Sequence, residues 1–543
     1  MPTALQTEST SQRQISAARV NRSVKNPSPL RRPVKDHWST VRWSALLLAL
    51  TLSTPLVHGY HPLAEDGGLY VAGVELSLNP SLFPHFTEFV SEHLQFSAFA
   101  PTFAAITRAT HLPLLVVLLV INLLSIALAL TAAHAVLRRI TPNERSQFAG
   151  IATLAAVWTV PIAGTSLLLM DPYVTARSLS TPLSLWAIAF ALDDWKSSPR
   201  SLICCVLALA LAAAFHPLMA GYALGLIVVL RTLQSRRKTL RLTVFALLAF
   251  AGAAVLQLRS PAESGAVILA AKSRYYWFLS QWHWYEIFGL IGPVLVLLAL
   301  RHRNRLGLGA NGKRLCAAAI LYGCFATILT LLFAQEQFHA HTVARLQPLR
   351  AFLMIYLVMF LLLGASLQQL FERAFSRSST RYFTRYAMFP ILLASALGMF
   401  VTQRNAFPES AHIELPWRLQ QNSNPWVRAF LWCRDNTPQS ALFALDSHYI
   451  TTPGEDAQTL RATAQRSALP DFSKDGGEAA ITPHLAEAWA AGFTAQLDMD
   501  QQTAAQLRER LASYGVDWVI LRSDSPAALT CPYDNNLLKV CKL

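Results

Sequence analysis

The chain has 543 residues, of which 53% are hydrophobic and only 14% charged, and its formal net charge is +15. Soluble domains carry about 25% charged residues, so repeated apolar runs of membrane-spanning length, rather than one soluble core, account for the composition. The basic residues cluster between those runs, which is the orienting signal of an inner-membrane protein and excludes nucleic acid as the partner.

Residues 1–42 are rich in Ser, Thr, Gln, Arg and Pro without apolar periodicity, and they are expected to form a disordered, basic cytoplasmic tail. No cleavage site follows Leu46–Leu56, so the first helix reads as an uncleaved signal anchor. Apolar segments at 43–59, 113–136, 147–170, 182–195, 201–215, 217–231, 242–258, 285–300, 315–334, 351–371 and 386–402 predict an α-helical polytopic membrane protein. They give about eleven transmembrane helices within a domain spanning 43–403. With the amino end in the cytoplasm, the inside segments hold 27 Lys and Arg. The outside loops hold seven, Arg108, Arg177, Arg259, Lys272, Arg274, Arg345 and Arg350. This asymmetry places the long loop 60–112 outside, and an odd number of spans places 404–543 outside as well. Cys204, Cys205, Cys316 and Cys324 lie in apolar runs and read as packing residues.

Residues 404–543 differ in kind, with twelve Lys or Arg and sixteen Asp or Glu. The stretches SALFALD (440–446), VDWVILRSD (516–524) and LLKVCKL (537–543) read as strands. PHLAEAWAAG (483–492) and DQQTAAQLRERLASYG (500–515) read as helices. The prediction is a small extracytoplasmic α/β domain, in which Cys531 and Cys541 flank the turn PYDNN and form a disulfide in an oxidising compartment. DFSKDGG (471–477) reads as a polar turn of that domain, with recognition of an acceptor as the functional alternative.

The predicted spans have almost no charge at their centres, and the outward carboxylates gather at their ends. GYHPLAEDGGLYVAG (59–73) follows the first span directly. Its Glu65-Asp66 pair can bind a divalent cation or deprotonate a hydroxyl, and Gly67-Gly68 permits a close backbone approach. A lone acidic dipeptide is more often a solvated turn. MDPYVTARSLSTP (170–182) repeats the pattern after the third span, with Asp171 at its start and Arg177 as its one base. PHFTEFVSEHLQF (84–96) predicts an amphipathic helix lying in the interface and starting at Pro84. AKSRYYWFLSQWHWYEIFG (271–289) sets Lys272 and Arg274 among aromatic rings, and EQFHAHTVARLQPLR (336–350) carries His339 and Arg345. Scarce outer bases of this kind suit a lipid-linked phosphate.

A long first outer loop, an acidic motif after the first span, a second acidic residue after the third and an outer soluble domain together resemble the GT-C superfamily of polytopic glycosyltransferases. The resemblance implies transfer of a sugar from a polyprenyl-phosphate donor to an acceptor at the outer face of the cytoplasmic membrane. It implies Glu65 or Asp66 as catalytic base or metal-site residue, and Asp171 as a second acidic site residue. Lys272, Arg274, Arg345, His339 and Arg177 are the candidate substrate contacts. A divalent cation is a candidate cofactor, and membrane lipids and the lipid-linked sugar are the expected partners. The chain lacks a WWDYG-like signature and a long D-x-D, which disfavours transfer to asparagine. The competing readings are a non-catalytic assembly or binding protein that works through 404–543, and a transporter. The latter is disfavoured because no broken helix pair or midplane ionisable residue is evident.

Overall fold

A bilayer offers the backbone no water to bond with, so a span must be a helix of about 20 apolar residues. The computed structural model describes residues 37–302, 308–374 and 387–543. Residues 1–36 of the expected cytoplasmic tail, and the basic residues Arg303, Arg305, Arg377, Arg381 and Arg385, lie outside the described residues, whereas 37–42, expected to be disordered, begin a helix. Six segments among the described residues are long and apolar enough to cross a membrane. They are Thr40–His58, Leu114–Arg138, Lys238–Arg259, Trp284–His302, Ala310–Phe333 and Thr342–Ala374. Pro199–Phe215 and Pro217–Leu233 are apolar but shorter, and both start on a proline, whose missing N–H costs nothing in the first helical turn. The protein is a multi-pass membrane protein, and the count of about eleven spans is not reached by this measure.

Two units are distinguished, 1–46 and 47–543. The first is described only at the start of α1 (His37–His58), and all that follows concerns the second. After α1 come α2 (Glu65–Leu78), α3 (Glu88–Ser91), α4 (Phe99–Thr110), α5 (Leu114–Arg138) and α6 (Glu144–Ala156). Then follow α7 (Ala176–Ala191), α8 (Pro199–Phe215), α9 (Pro217–Leu233), α10 (Lys238–Arg259) and α11 (Gly265–Lys272). The helical part continues through α12 (Trp284–His302), α13 (Ala310–Phe333), α14 (Thr342–Arg345) and α15 (Phe352–Ala374). Helix α7 packs on α5, α8 and α9, and α15 packs on α6.

Two expectations fail locally, for identifiable reasons. The span expected over 147–170 stops at Ala156. Beyond it Pro161 lacks a donor, and the chain turns back so that Ile162 and Leu169 N–H groups bond the Leu167 and Val160 carbonyls at 2.9 Å each. Trp158, Ile162, Leu167 and Leu169 are buried in this reversal, so its apolarity serves the protein's own core rather than lipid. The helix expected over 84–96 is reduced to α3 and one 3-10 turn, Glu92–Phe96, and Pro84 does not start it. Phe89 packs with Trp277 and Trp489, and Val90 with Phe99 and Phe103, so the apolar face meets protein.

The carboxyl-terminal region holds a five-stranded sheet in the order β2-β1-β3-β5-β4, with β1 Leu442–Leu445, β2 Ser467–Ala468, β3 Trp518–Arg522, β4 Thr530–Asp534 and β5 Leu538–Lys542. Strand β1 runs parallel to β2 and β3, and β5 is antiparallel to β3 and β4. The two-residue strand period sorts side chains to opposite faces. Leu442, Val519 and Cys541 meet Leu507 and Leu511 on one face, and Phe443, Ile520 and Val540 meet Trp426 and Phe430 on the other. Burial on both faces explains the nearly continuous apolar run of β3. A disulfide joins Cys531 and Cys541 across β4 and β5.

Candidate active site

Three chain segments converge at one end of the helices. The first is the residue run from His58 to α2. Its His61 N–H donates to the Pro172 carbonyl at 2.8 Å, tying it to the loop that carries Asp171. Its Leu63 carbonyl accepts from the Thr459 hydroxyl at 3.0 Å, tying it to the sheet domain. The acidic pair therefore begins a helix rather than ending one, since Glu65 and Asp66 occupy the first turn of α2. Carboxylates are favoured there by the free N–H groups and the helix dipole. Gly68 explains the second glycine of the motif, because a Cβ at that position would lie 1.6 Å from the Thr459 hydroxyl oxygen.

The second segment brings Asp171 and Arg177. The Thr175 N–H donates to the Ser178 hydroxyl at 3.0 Å and so fixes the start of α7, placing Arg177 on its first turn. One guanidinium nitrogen, Arg177 Nη2, lies 2.9 Å from Asp171 Oδ2 and 3.7 Å from Asp66 Oδ2. Asp171 and Arg177 are both buried. The third segment was read as a turn of the outer domain. Lys474 begins the helix Lys474–Ile481, and its ammonium donates to Glu65 Oε2 and, at 3.0 Å, to Asp66 Oδ1.

The cluster holds three carboxylates and two directly bonded cations, and the charge of Arg350 also reaches Asp66. Burial opposes ionisation of Asp66, but Lys474 and Arg177 outweigh it and hold the carboxyl well below the usual carboxylate range. Burial and then the Asp66 charge push Asp171 up to about 6, with Arg177 opposing them. Burial alone would lower the Lys474 ammonium, yet Asp66 and Glu65 drive it upward, so it stays protonated at any physiological pH. Tyr173 packs against Gly67 beneath the pair. His216 is held neutral by burial and by the charges of Arg177 and Arg350.

The other expected contacts go elsewhere. Arg345 pairs with Glu263 at 2.8 Å and donates to the Ala480 carbonyl at 2.8 Å, and His341 pairs with the same Glu263 at 2.7 Å. Arg274 donates to the carbonyls of Ser473 (2.6 Å) and Phe472 (2.9 Å), so it supports the segment that delivers Lys474 instead of facing the cluster. Lys272 and His339 are exposed, and neither forms an ion pair with the three carboxylates. For Arg274 and Arg345 an acceptor within the protein takes the base, which charge scarcity in the sequence does not reveal. Arg177 joins the cluster. Lys474 was missed, and its only sequence signal was a base inside the acidic, glycine-containing DFSKDGG.

A divalent cation needs several oxygen ligands that converge on one point with free lone pairs. Here Lys474 sits between Glu65 and Asp66, and Arg177 covers Asp171. No group of three or more His, Cys, Asp or Glu able to hold a metal occurs among the described residues. The residues present do not fit a divalent cation.

No family model matches the sequence, and no curated protein does. Among solved structures, the chain is similar to the oligosaccharyltransferase of Archaeoglobus fulgidus tethered with an acceptor peptide containing the NVT sequon. The TM-score is 0.51 at 12% identity, over 90% of this chain and 69% of that one. The fold is GT-C-like. A second structure of that oligosaccharyltransferase, in complex with Zn and sulfate, matches with a TM-score of 0.39 at 14% identity, over 88% of this chain and 68% of that one. At such identities the GT-C-like character is one of architecture, and the chemistry has to be argued from the cluster itself.

Proposed function

We propose that the protein is a glycosyltransferase that moves a sugar from a polyprenyl-phosphate donor to an acceptor hydroxyl at the outer face of the cytoplasmic membrane. The supporting observation is the meeting of Glu65, Asp66 and Asp171 with Arg177 and Lys474 at one end of a GT-C-like helical bundle.

In this reading the bond from the anomeric carbon to the phosphate oxygen breaks, and its electron pair leaves with the lipid phosphate. The acceptor oxygen forms the new bond and gives its proton to Glu65. Glu65 suits that role because its side chain stays 45% exposed and its backbone adopts φ 51°, a strained conformation of the kind that collects at functional sites. Asp66, fixed between two cations, orients the acceptor. Asp171 acts through Arg177, whose guanidinium, together with Arg350, faces the charge that grows on the leaving phosphate. Lys272 and His339 would contact only the outer parts of a bound lipid-linked sugar.

The test is transfer from polyprenyl-phosphate sugars to membrane acceptors by the full-length protein in proteoliposomes. Glu65→Gln and Asp66→Asn are each expected to lower transfer by about 100-fold or more, the size of effect typical for a lost proton acceptor or charge partner. Undiminished transfer in both variants, at wild-type expression, sinks the assignment.

A further inference from the structure

We propose that Lys474, carried by the sheet domain, occupies the place of a divalent cation between Glu65 and Asp66, making this an ammonium-centred, metal-independent site. The catalytic consequence rests on the transferase reading above, whereas the exclusion of metal does not.

Lys474 is not a surface lysine that happens to reach an acid. Its side chain is 13% exposed and contacts both carboxylates at once. The backbone that carries it is fixed from three sides. Its own N–H donates to Asp471 Oδ1 at 2.6 Å. The two preceding carbonyls accept from Arg274. The next residue, Asp475, forms a buried two-pronged pair with Arg461 at 2.6 and 3.0 Å. A frame of this kind limits how far the ammonium can retreat to admit a metal ion. Asp66 has its second oxygen turned toward Arg177, so each of its oxygens faces a fixed cation. Two carboxylates bridged by one ammonium in this way meet the requirement that a metal would otherwise serve, which is to hold like charges together and orient them toward substrate. Lys474 is thus a positioning residue that acts through Glu65 and Asp66.

The inference is tested by titrating Mn²⁺ into the purified full-length protein and following the free-ion EPR signal, beside transfer assays with and without EDTA. The wild type is expected to bind no stoichiometric Mn²⁺ at the cluster, and its transfer is expected to be unchanged by EDTA. Lys474→Met, which frees the carboxylates, should gain one Mn²⁺ per chain with affinity at least about tenfold above the wild type, as oxygen-only cation sites require uncompensated carboxylates. Lys474→Arg should keep Mn²⁺ out. If Lys474→Met fails to fold, Lys474→Gln takes its place. Stoichiometric Mn²⁺ on the wild type that Asp66→Asn removes would overturn the inference, as would Lys474 variants that fold and gain no site. If the Mn²⁺ pattern is as expected but the wild type transfers no sugar, the ammonium-centred site stands and the transferase reading falls.

Discussion

Asp171 shows how much one residue's meaning depends on its neighbours. In the sequence it is an Asp-Pro turn starter after an apolar run, and only its position after a span suggested more. In the fold it is buried against Arg177, and burial pushes its carboxyl up to about 6. The sign follows directly. Above about pH 6 Asp171 is ionised and holds Arg177 in place. Below that pH it takes a proton, and Arg177 loses the nearer of its two counter-charges, keeping only Asp66. Transfer is therefore expected to fall about tenfold per pH unit below pH 6 in kcat/KM profiles. A profile flat down to about pH 4, the ordinary Asp value, would remove Asp171 from the working site. The stability effect runs the other way. A carboxyl with a raised folded value binds its proton more tightly in the fold, so the stabilisation it gives is greatest in acid and is lost as pH rises through about 6. The acidic members of the cluster and Arg177 were legible from loop position and charge scarcity. Lys474 was not, because it lies more than four hundred residues after Glu65 and nothing local distinguishes it from a turn lysine.

At the scale of elements, helices and strands followed the sequence where one force dominated. Continuous apolar runs became α5, α10, α12, α13 and α15, and the short apolar runs at 516–524 and 537–543 became β3 and β5. Failures came where apolar surface had a second use. The segment after Ala156 and the one before Ser97 are apolar because they pack into the protein, and a breaker such as Pro161 decides the backbone. The same close packing makes the α2 glycines testable. Gly68→Ala would drive a methyl into Thr459, in the segment that joins α2 to the sheet domain. The expected cost is about 1–3 kcal/mol, read as a lower Tm of the detergent-solubilised protein, with transfer falling alongside. An unchanged Tm would mean that α2 and the sheet domain do not approach as closely as described.

For the whole molecule, the Lys474 contact puts the sheet domain and the 59–73 loop on one side of the bilayer. Charge asymmetry predicts that this side is extracytoplasmic, where the Cys531–Cys541 disulfide would also be favoured. Ser440→Cys, in an exposed turn of the sheet domain, is expected to react with a membrane-impermeant maleimide on intact cells. Ser197→Cys, in the exposed turn between α7 and α8, is expected to react only after lysis. The opposite labelling pattern would invert the topology and separate the cluster from an outer acceptor. The sequence by itself determined that the chain lives in a membrane, that its tail folds as an α/β sheet domain and that an acidic pair opens the segment after the first helix. Those properties come from hydrophobicity, period and local charge, which a linear reading contains. Only the tertiary structure decided which carboxylates meet, which bases are already taken by internal acceptors, and that the sheet domain lends an ammonium to the acidic pair. Such pairings depend on distances between segments far apart in the chain, and burial rather than sequence position sets their strength.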